Sequence, residues 1–103
     1  QTPEERLDQY LQLAYQARGA GRIAESRQWS ERALTLNPES IAALNDIGTM
    51  LVRAGNCAEG APYLQKVVDL LASGGDHRLL LSNASREELA ANIRERLAAQ
   101  CQQ

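Results

Sequence analysis

Apolar residues recur at three- and four-residue steps along most of the chain, the spacing of one face of an α-helix. The first stripe is Leu7, Tyr10, Leu11, Ala14 and Ala17, introduced by Thr2-Pro3-Glu4-Glu5. Thr2 suits an N-cap, Pro3 the first helical position and Glu5 the far corner of a capping box. Gly19 and Gly21 end this helix. A second stripe from about Arg22, with Ile23, Ser26, Ser30, Ala33 and Leu34, stops at Asn37-Pro38 because proline disfavours helical geometry in its predecessor. A third, with Leu44, Ile47, Gly48 and Leu51 inward, ends at Gly55. Asn56-Cys57-Ala58-Glu59 has the N-cap and capping-box spacing of a fourth helix, whose stripe is Cys57, Ala61, Leu64, Val67, Val68 and Leu71. Pro62 removes one backbone hydrogen bond near its start and predicts a bend in the first turn.

Residues 72 to 85 read as a connector that opens on Ser73-Gly74-Gly75 and carries Leu79-Leu80-Leu81, which need cover. Ser85-Arg86-Glu87-Glu88 is another capping box, and it predicts a last helix over 86–103. Leu89, Ile93, Leu97 and Cys101 follow at strict four-residue spacing, a single narrow apolar seam on an otherwise polar helix. The fold class expected is all-α, in one domain.

Composition agrees. Four aromatic residues, none of them Phe, leave the core of a 103-residue chain to Leu, Ile, Val and Ala. The net charge of −2 and the scattered basic residues supply no track for a phosphate backbone, so nucleic acid is not an expected partner. No apolar run approaches the ~20 residues that span a bilayer, so direct membrane insertion is not expected either. Ten of the eleven basic residues are Arg, which with the abundant Ala points toward GC-rich coding and a bacterial source.

A shift of 34 residues lays Ala20, Gly21, Ala24 and Glu25 on identical residues at Ala54, Gly55, Ala58 and Glu59. The same shift places Tyr10 on Leu44, Leu13 on Ile47, Ala14 on Gly48, Trp29 on Tyr63 and Leu36 on Leu70. A helix–turn–helix period of this length resembles the tetratricopeptide repeat family over residues 7 to about 71. Repeat one would be 7–40 and repeat two 41–71, followed by the connector and a capping helix. Ser26 and Ser30 depart from the pattern, which prefers alanine and a large aromatic there, and predict weaker packing in the first unit. The resemblance implies a short right-handed α-solenoid whose terminal helix covers the last repeat.

It also implies a protein-protein interaction module, in which the first helices of successive pairs line a concave groove for a peptide or helix of a partner. The residues that fall on that face are Asp8, Leu11, Tyr15 and Arg18, then Ala42, Asn45, Thr49, Val52 and Arg53. Leu11, Tyr15 and Val52 offer apolar contact, Asn45 a backbone partner, and Arg18 or Arg53 a carboxylate partner. A solvated helix face with ordinary apolar residues would look the same. Trp29 and Tyr63, one period apart, are either an outer aromatic patch or packing between helices. An enzyme is not expected. Cys57 and His77 are a conceivable nucleophile and base, but no third orienting group accompanies them. Metal-ligand spacing is absent and no cofactor is implied.

If the helices alternate in direction, the end of the last lies beside the start of the fourth, which sets Cys101 level with Cys57. Two readings stand: a disulfide, or two thiols serving as small apolar residues. The disulfide would belong to the periplasm or another extracytoplasmic compartment, with Gln1 fitting a trimmed leader; free thiols leave the cytoplasm open. The competing functional reading is a structural or self-association segment of a larger bacterial protein, its groove filled by a neighbour or by another copy.

Overall fold

A computed structural model describes residues 1–76 and 81–101. Among them are five α-helices and no strand: α1 Pro3–Gly19, α2 Ile23–Leu36, α3 Ile41–Arg53, α4 Cys57–Ser73 and α5 Asn83–Cys101. Each helix packs on its neighbours in the chain. Longer-range bonds link alternate helices: Arg18 of α1 to Asp46 of α3, Arg96 of α5 to Thr49 of α3, and Arg27 of α2 to Glu59 of α4. The odd-numbered helices therefore form one layer and the even-numbered ones the other. The molecule measures 44 × 31 × 20 Å, and its short axis is about two helix diameters.

Local chemistry explains most helix ends. Thr2 Oγ1 accepts from the Glu5 amide and donates to the Glu5 carboxylate, capping α1. Ser40 and Asn56 cap α3 and α4 in the same way, accepting from the amides of Ala43 and Glu59. The turn after α1 repeats bond for bond after α3. Gly21 and Gly55 both take a positive φ, of 80° and 84°, and the amides that follow them, Arg22 and Asn56, each donate over 2.8 Å to the carbonyls of Ala17 and Leu51. Only glycine adopts that conformation without a Cβ penalty, so the matched glycines of the sequence are matched turns.

Two boundaries differ from the sequence reading. The last helix begins at Asn83, not 86, because Ser82 and not Ser85 is its cap: Ser82 Oγ accepts from the Ser85 amide. One helical turn earlier is gained, and Arg86, now inside the helix, donates to the carbonyls of Leu71 and Gly75. Helix α4 extends to Ser73 and closes on Gly74 in the left-handed conformation, running continuously past the exposed Pro62. The connector is shorter than the expected 72–85 as a result. His77, Leu79 and Leu80 lie outside the described residues. Asp76 does not lie free; its carboxylate accepts from the Ile41 amide and ties the connector to the start of α3. Ile23, expected inward, is 48 % exposed, since it stands at the first position of α2 beyond the reach of α1.

The core is continuous from Ile41 and Leu44 through Leu64, Val67, Val68 and Leu71 to Ala90, Ile93 and Leu97, and a smaller cluster of Leu7, Ala33 and Ala43 sits between the first three helices. Ser26 and Ser30 are fully buried. Ser26 Oγ donates to the Ala14 carbonyl over 2.8 Å, whereas Ser30 Oγ has no partner among the described residues. The successor of Ser26 one period later shows why a small residue sits there. A Cβ on Gly60, the counterpart of Ser26, would stand 2.8 Å from Leu51 Cβ and 3.0 Å from the Gly48 carbonyl oxygen. In the second helix pair Leu51 meets Gly60 and Leu64 meets Gly48, and the positions one period earlier hold Ala17 and Ser26, Ser30 and Ala14.

Replacing Gly60 with alanine is therefore expected to destabilise the fold. Overpacking of about 1–3 kcal/mol outweighs the roughly 1 kcal/mol gained in helix propensity. The double variant G60A/L51A, measured by urea denaturation beside the two single variants, should lose less than their sum by more than about 0.5 kcal/mol. Simple additivity would mean that the added methyl does not press on Leu51.

Candidate functional site

The odd-numbered layer carries a cleft of about 280 Å³ where α1, α3 and α5 come together. Arg18 projects into it from the last turn of α1. Asn45, Asp46, Thr49, Met50 and Arg53 line its floor from one face of α3, and Arg96 closes it from α5. Helical spacing accounts for the α3 set, because positions 45, 46, 49, 50 and 53 follow the three- and four-residue steps of a single face.

Four of the residues expected to form the groove, Arg18, Asn45, Thr49 and Arg53, are thus brought together. Three are not. Val52 is only 4 % exposed and belongs to the core, where it packs beside Gly60 at the interface of α3 with α4. It lies one residue round the helix from the cleft face, and the close approach that Gly60 permits covers it. Leu11 is half-buried against the small cluster of Leu7, Ala33 and Ala43. Tyr15 is 67 % exposed, outside the cleft, with the Arg18 guanidinium 5.5 Å from its ring centre. Asp8 is exposed and Ala42 half-buried, and neither lines the cleft.

Asp46, Met50 and Arg96 line the cleft although nothing singled them out. Asp46 and Met50 could have been found by completing the α3 face. Arg96 could not, because its place depends on how α5 lies across α3. Its guanidinium donates to Thr49 Oγ1 over 3.2 Å.

Electrostatics give the cleft a sign. Arg18 pairs with Asp46, and burial pushes the Asp46 carboxyl above its ordinary range while Arg18 draws it part of the way back. Among the described residues no carboxylate lies within ion-pair distance of Arg53 or Arg96. Three guanidinium groups face one carboxylate.

The remaining candidates resolve into structure. Trp29 stacks on Tyr10, ring centres 5.7 Å apart, and the Arg32 guanidinium lies 4.7 Å from its ring centre, so it fastens α2 to α1 and does not pair with Tyr63. Tyr63 is half-buried beside a second, mostly apolar hollow of about 340 Å³ formed with Leu34, Pro38, Leu44 and Pro62. Cys57 and Cys101 are joined, Sγ to Sγ at 2.10 Å with their Cα atoms 5.5 Å apart. A disulfide sulfur is not a thiolate, which removes Cys57 as a nucleophile in this state. No group of three or more metal-ligating side chains occurs among the described residues, and none of their helices is long and apolar enough to cross a membrane. No family model, curated protein or solved structure matches the chain.

Proposed function

We propose that this chain is a tetratricopeptide-type protein-interaction module, a short right-handed α-solenoid of two repeats and a capping helix that holds a peptide or helix of a partner protein. The observation that carries the reading is the cleft: α1, α3 and α5 all send polar side chains into one concavity, with Arg96 reaching Thr49. The turns that repeat after 34 residues, with glycines of equal φ, support the repeat assignment. We read this surface as a binding one, since its guanidinium and amide groups are hydrogen-bond donors suited to holding a ligand. The disulfide supports a periplasmic or otherwise extracytoplasmic location, where such bonds persist.

The alternative is a structural or self-association segment of a larger bacterial protein. Photocrosslinking in the source cell separates the two. A photoreactive residue in place of Asn45, which lines the cleft, is expected to capture a distinct polypeptide, and one in place of Gln65, exposed on α4 in the other layer, is expected to capture none. Crosslinks from position 45 only to the parent chain or to a second copy would favour the alternative.

A further inference from the structure

We infer that the cleft selects an acidic segment: an internal stretch of a partner polypeptide whose side-chain carboxylates are read by Arg53 and Arg96, with Arg18 held in reserve by Asp46. The inference rests on the groove reading above and adds the chemistry of the occupant.

Charge is the first reason. The chain as a whole carries −2, yet this cleft gathers three of its eleven basic residues around a single carboxylate. Helix dipoles explain part of that, because Arg18 and Arg53 stand in the last turns of α1 and α3, where a cation is favoured. They do not explain Arg96, which lies more than a turn before the end of α5 and still turns toward α3 to bond Thr49. Holding a long guanidinium side chain against a neutral hydroxyl costs rotamer freedom, and among the described residues its other N–H groups have no charged acceptor. A carboxylate is the acceptor that matches that planar fork.

Geometry decides between a side-chain and a terminal carboxylate. Arg53 stands at the end of α3, and Arg96 comes from α5 to the level of Thr49, one turn before it. Two guanidiniums on separate helices can each take a carboxylate of their own, which suits successive acidic side chains of an extended segment better than a single terminal carboxylate. Asp46 sets the strength. Its bond to Arg18 neutralises the cation nearest α1, so only two guanidiniums are available until that pair opens.

The test is fluorescence anisotropy with a labelled, C-terminally amidated peptide of alternating Glu and Ala, beside the same peptide with Gln for Glu. The Glu peptide is expected to bind at least about tenfold more tightly, and R53Q and R96Q are each expected to weaken it by about the same factor, as loss of a charge-assisted hydrogen bond does. High salt should weaken it further. D46N should tighten binding several-fold by releasing Arg18, a gain that misfolding cannot imitate. Equal binding of the Glu and Gln peptides overturns the inference while leaving the groove reading intact. Absence of Glu-peptide binding, a D46N variant no tighter than the wild type, or tighter binding of a single-stranded oligodeoxynucleotide overturns it too. The groove reading itself fails separately, if crosslinks from position 45 reach only the parent chain or a second copy.

Discussion

Replacing Cys57 and Cys101 together with alanine is expected to remove about 4 kcal/mol of stability, the cost in the chain-entropy model of releasing a loop of this size. The two cysteines are 44 residues apart in sequence, so the bond restrains nearly half the chain before folding begins. A domain of this length has roughly 5–15 kcal/mol in total, so the loss is a large fraction of it. It also falls unevenly. Helix α5 is held at its start by Arg86 on the carbonyls of Leu71 and Gly75, and at its end by the disulfide. Without the bond its last two turns rest on Leu97 and the Arg96–Thr49 contact. Urea denaturation with and without a thiol reductant checks this: the wild type should weaken on reduction by the same amount, and the alanine variant should not respond. A wild-type midpoint indifferent to reductant would show that the apolar seam of α5 suffices alone.

Ending the chain after Ser73, in a background with Cys57 replaced by alanine, is expected to yield aggregating or partly unfolded material. Ala90, Ile93 and Leu97 cover the outward side of Leu64, Val68 and Leu71. Ile93 and Leu97 alone contribute about 3–6 kcal/mol of burial, and the uncovered side of α4 becomes a contiguous apolar patch. The truncation also takes away the Asp76 carboxylate that caps the Ile41 amide. Size-exclusion chromatography with circular dichroism reads the outcome. A monodisperse truncated protein with a cooperative transition would show that two helix pairs complete their own core. The same experiment bears on the cleft, because its third wall, Arg96, belongs to the helix removed.

The number of helices, their order and most of their inward faces were legible in the sequence, because each is written locally: an apolar period of about 3.6, a capping side chain, a glycine where φ turns positive. The pairing of Cys57 with Cys101 was open on sequence alone. Alternating helix direction brought the two residues level, but whether thiols at that level bond depends on the packing of α5 on α4.

Other features lay outside the reach of any local pattern. Ser82 displaced Ser85 as the cap of α5: both sites offer a hydroxyl three residues ahead of an amide, and the longer helix carries Arg86, which bonds the Leu71 carbonyl of α4. Val52 and Arg53 are neighbours in sequence, both on the side of α3 read as groove, yet one is core and the other cleft. The absent Cβ of Gly60 decides this by letting α4 approach until it covers Val52. Arg96 looked like one more charge on a solvated helix, and it became part of the site only through the angle at which α5 crosses α3. Periodicity determines which way a side chain points from its own helix. What it meets there is set by the distance and direction of the next helix, and those follow from side-chain volumes summed across the whole interface.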